Sequence, residues 1–221
     1  KNKQQAKILS GFFKTASGEY GAGDKFLGIK VPILRQLAKK YTTLDFFKIK
    51  SLLKSNYHEE RLLGLFILVY KFQRANNVEK KEIYQFYLKN WRAVNNWDLV
   101  DTTTPNIIGV YLLNKDKKVL YEFAQTNNLW KKRMAIIATF TFIRNNQFED
   151  TFNIAHILVK DKHDLIHKAV GWMLREVGKR DMKAEEDFLK NYYQLMPRTM
   201  LRYAIEKFPE AKRKKYLTGK I

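Results

Sequence analysis

The sequence predicts an all-α protein assembled from stacked helix pairs. Three observations carry this. Helical periodicity dominates from about residue 31 onward, alternating strand patterns are scarce, and the long apolar stretches recur at a nearly constant spacing. Helices are predicted over residues 2–14, 32–40, 44–54, 58–73, 78–90, 96–103, 105–113, 116–125, 129–144, 148–159, 164–179, 184–195, 197–207 and 209–217. EERLLGLFILVYKF (59–72) is too apolar for a surface helix and too short to cross a membrane comfortably, so it reads as a helix buried between neighbours. NNWDLVDTTTP (95–105) reads as a helix that sets Trp97 and Asp101 one turn apart on one face. It is expected to stop at Thr104, which Pro105 pushes towards extended geometry, leaving Asp101 in a last turn whose dipole disfavours an anion.

When YHEERLLGLFIL, VNNWDLVDTTTP, LWKKRMAIIATF and LIHKAVGWMLRE are overlaid, Arg61, Trp97, Arg133 and Lys168 fall in one slot, 35 or 36 residues apart. That is the spacing of a two-helix repeat. Such units bury their apolar faces only by stacking, which gives an α-α superhelix whose second helices line a concave groove. No Pro-, Gly- or Ser-rich linker divides the chain, so residues 1–221 are expected to form a single domain.

Composition narrows the partner. Forty-two Lys and Arg against 22 Asp and Glu give a formal charge of +20, so the chain attracts polyanions, nucleic acid first among them. No signal peptide, apolar span or lipidation motif is evident, and a cytoplasmic, nucleoid-associated setting without membrane contact is expected. The absence of cysteine excludes disulfides, thiolate zinc sites and cysteine nucleophiles. No histidine and carboxylate fall in a recognised metal spacing, and Gly18, Gly21 and Gly23 do not form a phosphate loop. Nothing resembles a self-pairing apolar stripe, and a monomer is expected.

The repeat slot holds three cations and an indole where a purely structural face would hold Leu or Ala. A basic residue once per repeat makes a stripe suited to a phosphate backbone. The alternative is a set of snorkelling, solvent-facing side chains. KAVGWMLREVGK (168–179) adds Lys168, Trp172, Arg175 and Lys179 on adjoining positions of one helical face, with Gly171 leaving room for another backbone. An indole among cations suits a sugar or base whose phosphates the cations hold. Trp172 packed inward is the competing reading. Asp101 is then expected on the rim of a cationic groove. A carboxylate there is a net cost to simple DNA binding, but it suits a reaction in which a sugar develops positive charge. It could instead cap the helix that follows Pro105. The KRKK run (212–215) is a solvated helix end or an added attraction for phosphate.

FLGIKVPILRQLAKKY (26–41), NNWDLVDTTTP (95–105), WKKRMAI (130–136) and KAVGWMLREVGKRD (168–181) resemble, in order and approximate spacing, the signature blocks of the AlkD-like DNA alkylation repair proteins. The resemblance runs from about residue 11 to about residue 208. It implies a HEAT-like repeat solenoid that excises purines alkylated at N3 or N7 from double-stranded DNA, using neither metal nor cofactor. By similarity, Asp101 stabilises the oxocarbenium-like sugar and positions water, and Trp97 and Trp172 pack against the lesion deoxyribose. Arg133 matches the family's essential arginine and holds a phosphate, supported by Arg175 and Lys168. Apart from the resemblance, the repeat slot and the 168–179 face make Arg61 and Lys179 further expected DNA contacts. The resemblance also implies that the base is not drawn into a closed pocket, unlike base-flipping glycosylases. A non-catalytic, nucleic-acid-binding solenoid is the other class compatible with charge and repeats. The glycine-rich segment around Tyr20 departs from the family's usual N-terminal helix, which puts that helix's clamping of DNA in question.

Overall fold

A computed structural model describes residues 1–221. The helices are α1 Lys3–Phe12, α2 Val31–Lys40, α3 Phe46–Leu53, α4 His58–Arg74, α5 Asn77–Lys89, α6 Trp97–Thr104, α7 Val110–Leu112, α8 Lys118–Gln125, α9 Leu129–Arg144, α10 Glu149–Leu158, α11 Asp164–Gly178, α12 Met182–Tyr192, α13 Arg198–Ala204 and α14 Glu210–Thr218. No helix is long and apolar enough to cross a membrane. The contacts gather into two compact units, Lys1–Thr103 and Thr104–Ile221.

In the first unit, α4 is the central element, packed by α2 and α3 and followed by α5. Its buried residues run almost without interruption from Leu62 to Val69, so no solvent face is left, as the apolar sequence requires. The first turn of α4 has no side-chain cap. Its Glu59 turns back instead, and the buried carboxylate accepts the backbone N–H groups of Leu27, Gly28 and Ile29 at 2.9, 2.8 and 3.3 Å. Gly28 sits at φ 77°, and a Cβ there would come within 2.1 Å of the Asn2 carbonyl oxygen. Only glycine lets the start of α1 lie this close, where Asn2 N–H donates to Leu27 O at 2.8 Å. The N-terminal helix is thus present and anchored in spite of the glycine-rich segment that follows it.

In the second unit, α9 and α11 pack side by side, with α8 and α10 against α9, and α12 and α13 against α11. Met134 to Thr139 are all buried, and α11 buries its Leu165, Ile166, Ala169, Val170, Met173, Leu174 and Val177. A Cβ on Gly171 would lie 2.4 Å from the Met200 carbonyl oxygen of α13, so the small residue before Trp172 does admit a neighbouring backbone.

One expectation about local structure is overturned. Thr104 is helical at φ −59°, ψ −47°, and the backbone remains helical through Pro105–Gly109 as a π segment that leads into α7. Proline cannot supply an N–H and crowds the preceding turn; the wider π turn accommodates both effects without breaking the helix. Asp101 therefore does not occupy a last turn, and no fresh helix start follows Pro105 for it to cap. The hydroxyls of Thr102 and Thr103 donate back to the Asp98 and Leu99 carbonyls at 2.6 and 2.5 Å, and Thr103 meets the buried Tyr87 hydroxyl at 2.8 Å.

Candidate functional site

The first unit contributes Trp97 and Asp101, four residues apart on α6 and both partly exposed. The helical pitch alone places them on one face. What fixes that face is a buried ionic cluster beneath the helix start. His58 opens α4; its Nδ1 lies 3.1 Å from Asp24 and its Nε2 2.8 Å from Asp98, the second residue of α6. Arg61 Nη2 donates to the other Asp24 oxygen at 2.6 Å. Burial by itself would lower the His58 pKa, but hydrogen bonds to Asp24 and Asp98, together with their charges, push it up to about 9. Burial likewise works to raise the Asp24 pKa, yet the His58 hydrogen bond and the Arg61 charge hold it below the ordinary aspartate value. The imidazolium is flanked by the rings of Phe13 and Phe26, with centroids at 4.9 and 4.8 Å.

Phe13 continues the stack onto Trp97 at 5.2 Å and 25°, while Phe12 meets the same indole edge-on at 5.7 Å. Trp97 thus has a braced ring. It also forms part of the wall of an apolar cavity of about 520 Å³, alongside Leu9, Ile29 and Pro32. Phe12, Phe13, Asp24, His58, Glu59 and Asp98 were not singled out for the site from sequence. Each lies on a different element from most of its partners, and no local spacing signals that.

Arg61 requires a correction. It was expected on an exposed basic stripe, but it is only 5% exposed, bonded to Asp24 and donating to the Ser55 carbonyl at 3.0 Å. A helix buried on all sides gives its first-turn arginine no solvent face, so the guanidinium satisfies interior oxygens instead. Arg133 is equally buried and donates to the Leu165 carbonyl at the start of α11. The recurring slot is therefore not a solvent-facing stripe at these two positions.

The second unit holds the remaining expected residues. Lys168, Trp172 and Arg175 lie along α11, and Lys179 caps its end. Trp172 is half-buried, its ring tilted against Phe140 of α9 at 5.6 Å. Its Nε1–H donates to Glu176 at 3.1 Å, and the same Glu176 oxygen lies 2.6 Å from Lys179 and 3.7 Å from Arg175. One buried carboxylate thus ties the indole to two cations. Arg175 also pairs with Glu206, and Lys168 with Asp164 at 2.7 Å. A partly open indole edged by cations can receive a sugar and its phosphates, provided those cations exchange carboxylate for phosphate.

A solved structure described as a predicted DNA alkylation repair enzyme from Enterococcus faecalis superposes with a TM-score of 0.74, covering 95% of this chain and 97% of that one at 18% identity. At that identity the likeness establishes the all-α helical-repeat fold. No curated protein matches the sequence significantly. The family model described as DNA alkylation repair enzyme matches residues 1–208. By that match over nearly its whole length, the chain belongs to the DNA alkylation repair enzyme family and, with it, to the enzymes of DNA repair.

Proposed function

We propose that the protein is a DNA glycosylase that releases positively charged N3- or N7-alkylated purines from duplex DNA by hydrolysing the N-glycosidic bond. The observation that carries this reading is the pairing of Trp97 and Asp101 on one face of α6, with the indole braced by Phe13 and the helix start held by the His58 cluster. Alkylation leaves a formal positive charge on the base, so the leaving group needs no strong general acid. As the C1′–N bond breaks, its electron pair returns to the purine and cancels that charge. The deoxyribose becomes oxocarbenium-like; the Asp101 carboxylate stabilises it and orients a water, whose oxygen forms the new bond to C1′ and whose proton passes to the carboxylate or to solvent.

In this reading Trp97 packs against the lesion sugar, and along α11 Trp172 receives a DNA sugar while Lys168, Arg175 and Lys179 hold phosphates. Arg133, buried and anchored on the Leu165 carbonyl, lends its charge to a DNA phosphate. The substrate is chromosomal DNA, and no metal enters the step. The test is incubation of the purified protein with methylated duplex DNA, scoring free 7-methylguanine, beside Asp101→Asn. Release by the wild type and its loss in the variant, with duplex binding kept or tightened, support the enzyme. Tight duplex binding without base release by the wild type would mean a non-catalytic DNA-binding protein.

A further inference from the structure

Glu176 lies in the last turn of α11, where the negative end of the helix dipole disfavours an anion, and it is only 7% exposed. An acid kept there needs partners that offset both effects. Three groups converge on one of its oxygens. The Trp172 Nε1–H donates to it at 3.1 Å from one turn earlier, and the Lys179 ammonium donates at 2.6 Å from three residues later. Arg175 Nη2 stands at 3.7 Å, beyond hydrogen-bond reach. The two cations differ in how readily they can leave. The Arg175 side chain is 17% exposed and is also paired with Glu206, whereas that of Lys179 is 39% exposed and pairs with Glu176 alone. An indole has a single donor, so the bond to Glu176 decides how the Trp172 ring is turned.

We propose that Glu176 is a positioning residue of the α11 face: it sets the plane of the Trp172 indole and holds Lys179 in reserve, so that a DNA phosphate engages the lysine only by displacing a carboxylate. The inference rests on the reading of α11 as a face that receives DNA. Attraction between lysine and phosphate is independent of sequence and holds damaged and undamaged DNA alike. An internal anion that neutralises Lys179 lowers that uniform attraction, while the indole it orients keeps its contact with the sugar. Lysine carries its charge on a flexible stem. When a phosphate draws Lys179 away, the Glu176 oxygen retains the indole N–H, and the ring stays set while the cation moves.

The test compares Glu176→Gln, which keeps an acceptor oxygen without the charge, with Glu176→Leu, which keeps neither. By fluorescence anisotropy both should bind an undamaged duplex more tightly than the wild type, by about two- to fivefold, the range of one partly exposed ion pair. Most of that gain should vanish when Lys179→Gln is added, because the cation that Glu176 withheld is gone. The Trp172 indole N–H resonance, assigned with Trp172→Phe, should move upfield in Glu176→Leu and much less in Glu176→Gln. Turnover of base release should fall in Glu176→Leu, and Glu176→Gln should restore most of what is lost. An indole resonance unmoved in Glu176→Leu, a duplex affinity unchanged in Glu176→Gln, or a gain that persists in full without Lys179 would overturn the assignment. The binding and resonance arms need no catalysis. A wild type that binds duplex without releasing base refutes the glycosylase and leaves these two arms to decide the role of Glu176. Base release with equal duplex affinity across the variants refutes the role of Glu176 alone.

Discussion

The Nε2 of His58 lies 2.8 Å from a carboxylate oxygen of Asp98, joining the first turn of α4 to the first turn of α6. Because its Nδ1 faces Asp24 at 3.1 Å, one imidazolium spans two acids that would otherwise repel, and the helix carrying Trp97 and Asp101 is held from below. This buried ring is a rivet for the candidate site.

A pH dependence follows from its sign. The folded-state pKa, about 9, lies above the ordinary 6.5, so the folded protein holds this proton more tightly than the unfolded chain does. The stabilisation is fully present below pH 6.5 and is lost as pH rises through 9, on the order of 3 kcal/mol in all. Chemical denaturation across pH 6 to 10 should show this decline, and His58→Gln should remove most of it while lowering stability at pH 6. A parallel decline in the variant would assign it to other groups.

Glu185 of α12 should contribute a decline of its own. Its carboxyl is buried against Gly178 with one oxygen unpartnered; burial, then the Glu186 charge, pushes its pKa up to about 9 in spite of Arg175. An acid kept protonated by folding costs nothing below its ordinary pKa of 4.5, and the penalty grows from there until about pH 9. Glu185→Gln should therefore raise the melting temperature at pH 8 and leave it little changed at pH 4. A lower melting temperature at pH 8 would show that the charged form is stabilised after all.

Asp101→Asn should abolish base release, by at least about 100-fold, as expected for removing the group that faces developing charge. Duplex affinity, measured by fluorescence anisotropy, should hold or rise because an anion facing phosphates is gone. Release at the wild-type rate would end Asp101's proposed role.

The brace on Trp97 is testable separately. Phe13→Leu keeps bulk but removes the parallel ring 5.2 Å away, and should lower the turnover of base release more than it weakens binding. Equal activity would mean that the indole needs no support from α1. Arg133→Ala should flatten the log–log salt dependence of duplex binding by about 0.9, one phosphate contact, and should also lower stability because the Leu165 carbonyl loses its donor. An unchanged slope would leave Arg133 a structural role only.

Gly171→Ala drives a methyl group into the Met200 carbonyl and the Tyr203 Cβ, at 2.4 and 2.5 Å. Overpacking of this kind costs about 1 to 3 kcal/mol, readable as a fall in the denaturation midpoint. A neutral substitution would mean that α13 can retreat from α11.

The amino-acid sequence by itself determined the all-α class, the position of nearly every helix, the placing of Trp97 with Asp101, and the Lys168–Trp172–Arg175 face. All of these are relations within one or two helical turns, and the pitch of the helix fixes them wherever the helix lies. The family blocks were legible for the same reason, being contiguous. Only tertiary structure decided which of the slot's arginines meet solvent: Arg61 looks like any exposed cation until α4 proves to be buried on every side. His58 finds Asp24 and Asp98 across 34 and 40 residues, and Phe13, just past the end of α1, stacks on Trp97 of α6. Such pairings depend on how helices cross, which no short spacing encodes. The continuity through Pro105 belongs with them, because the neighbour preference of proline argues for a break and the protein resolves it with a wider turn.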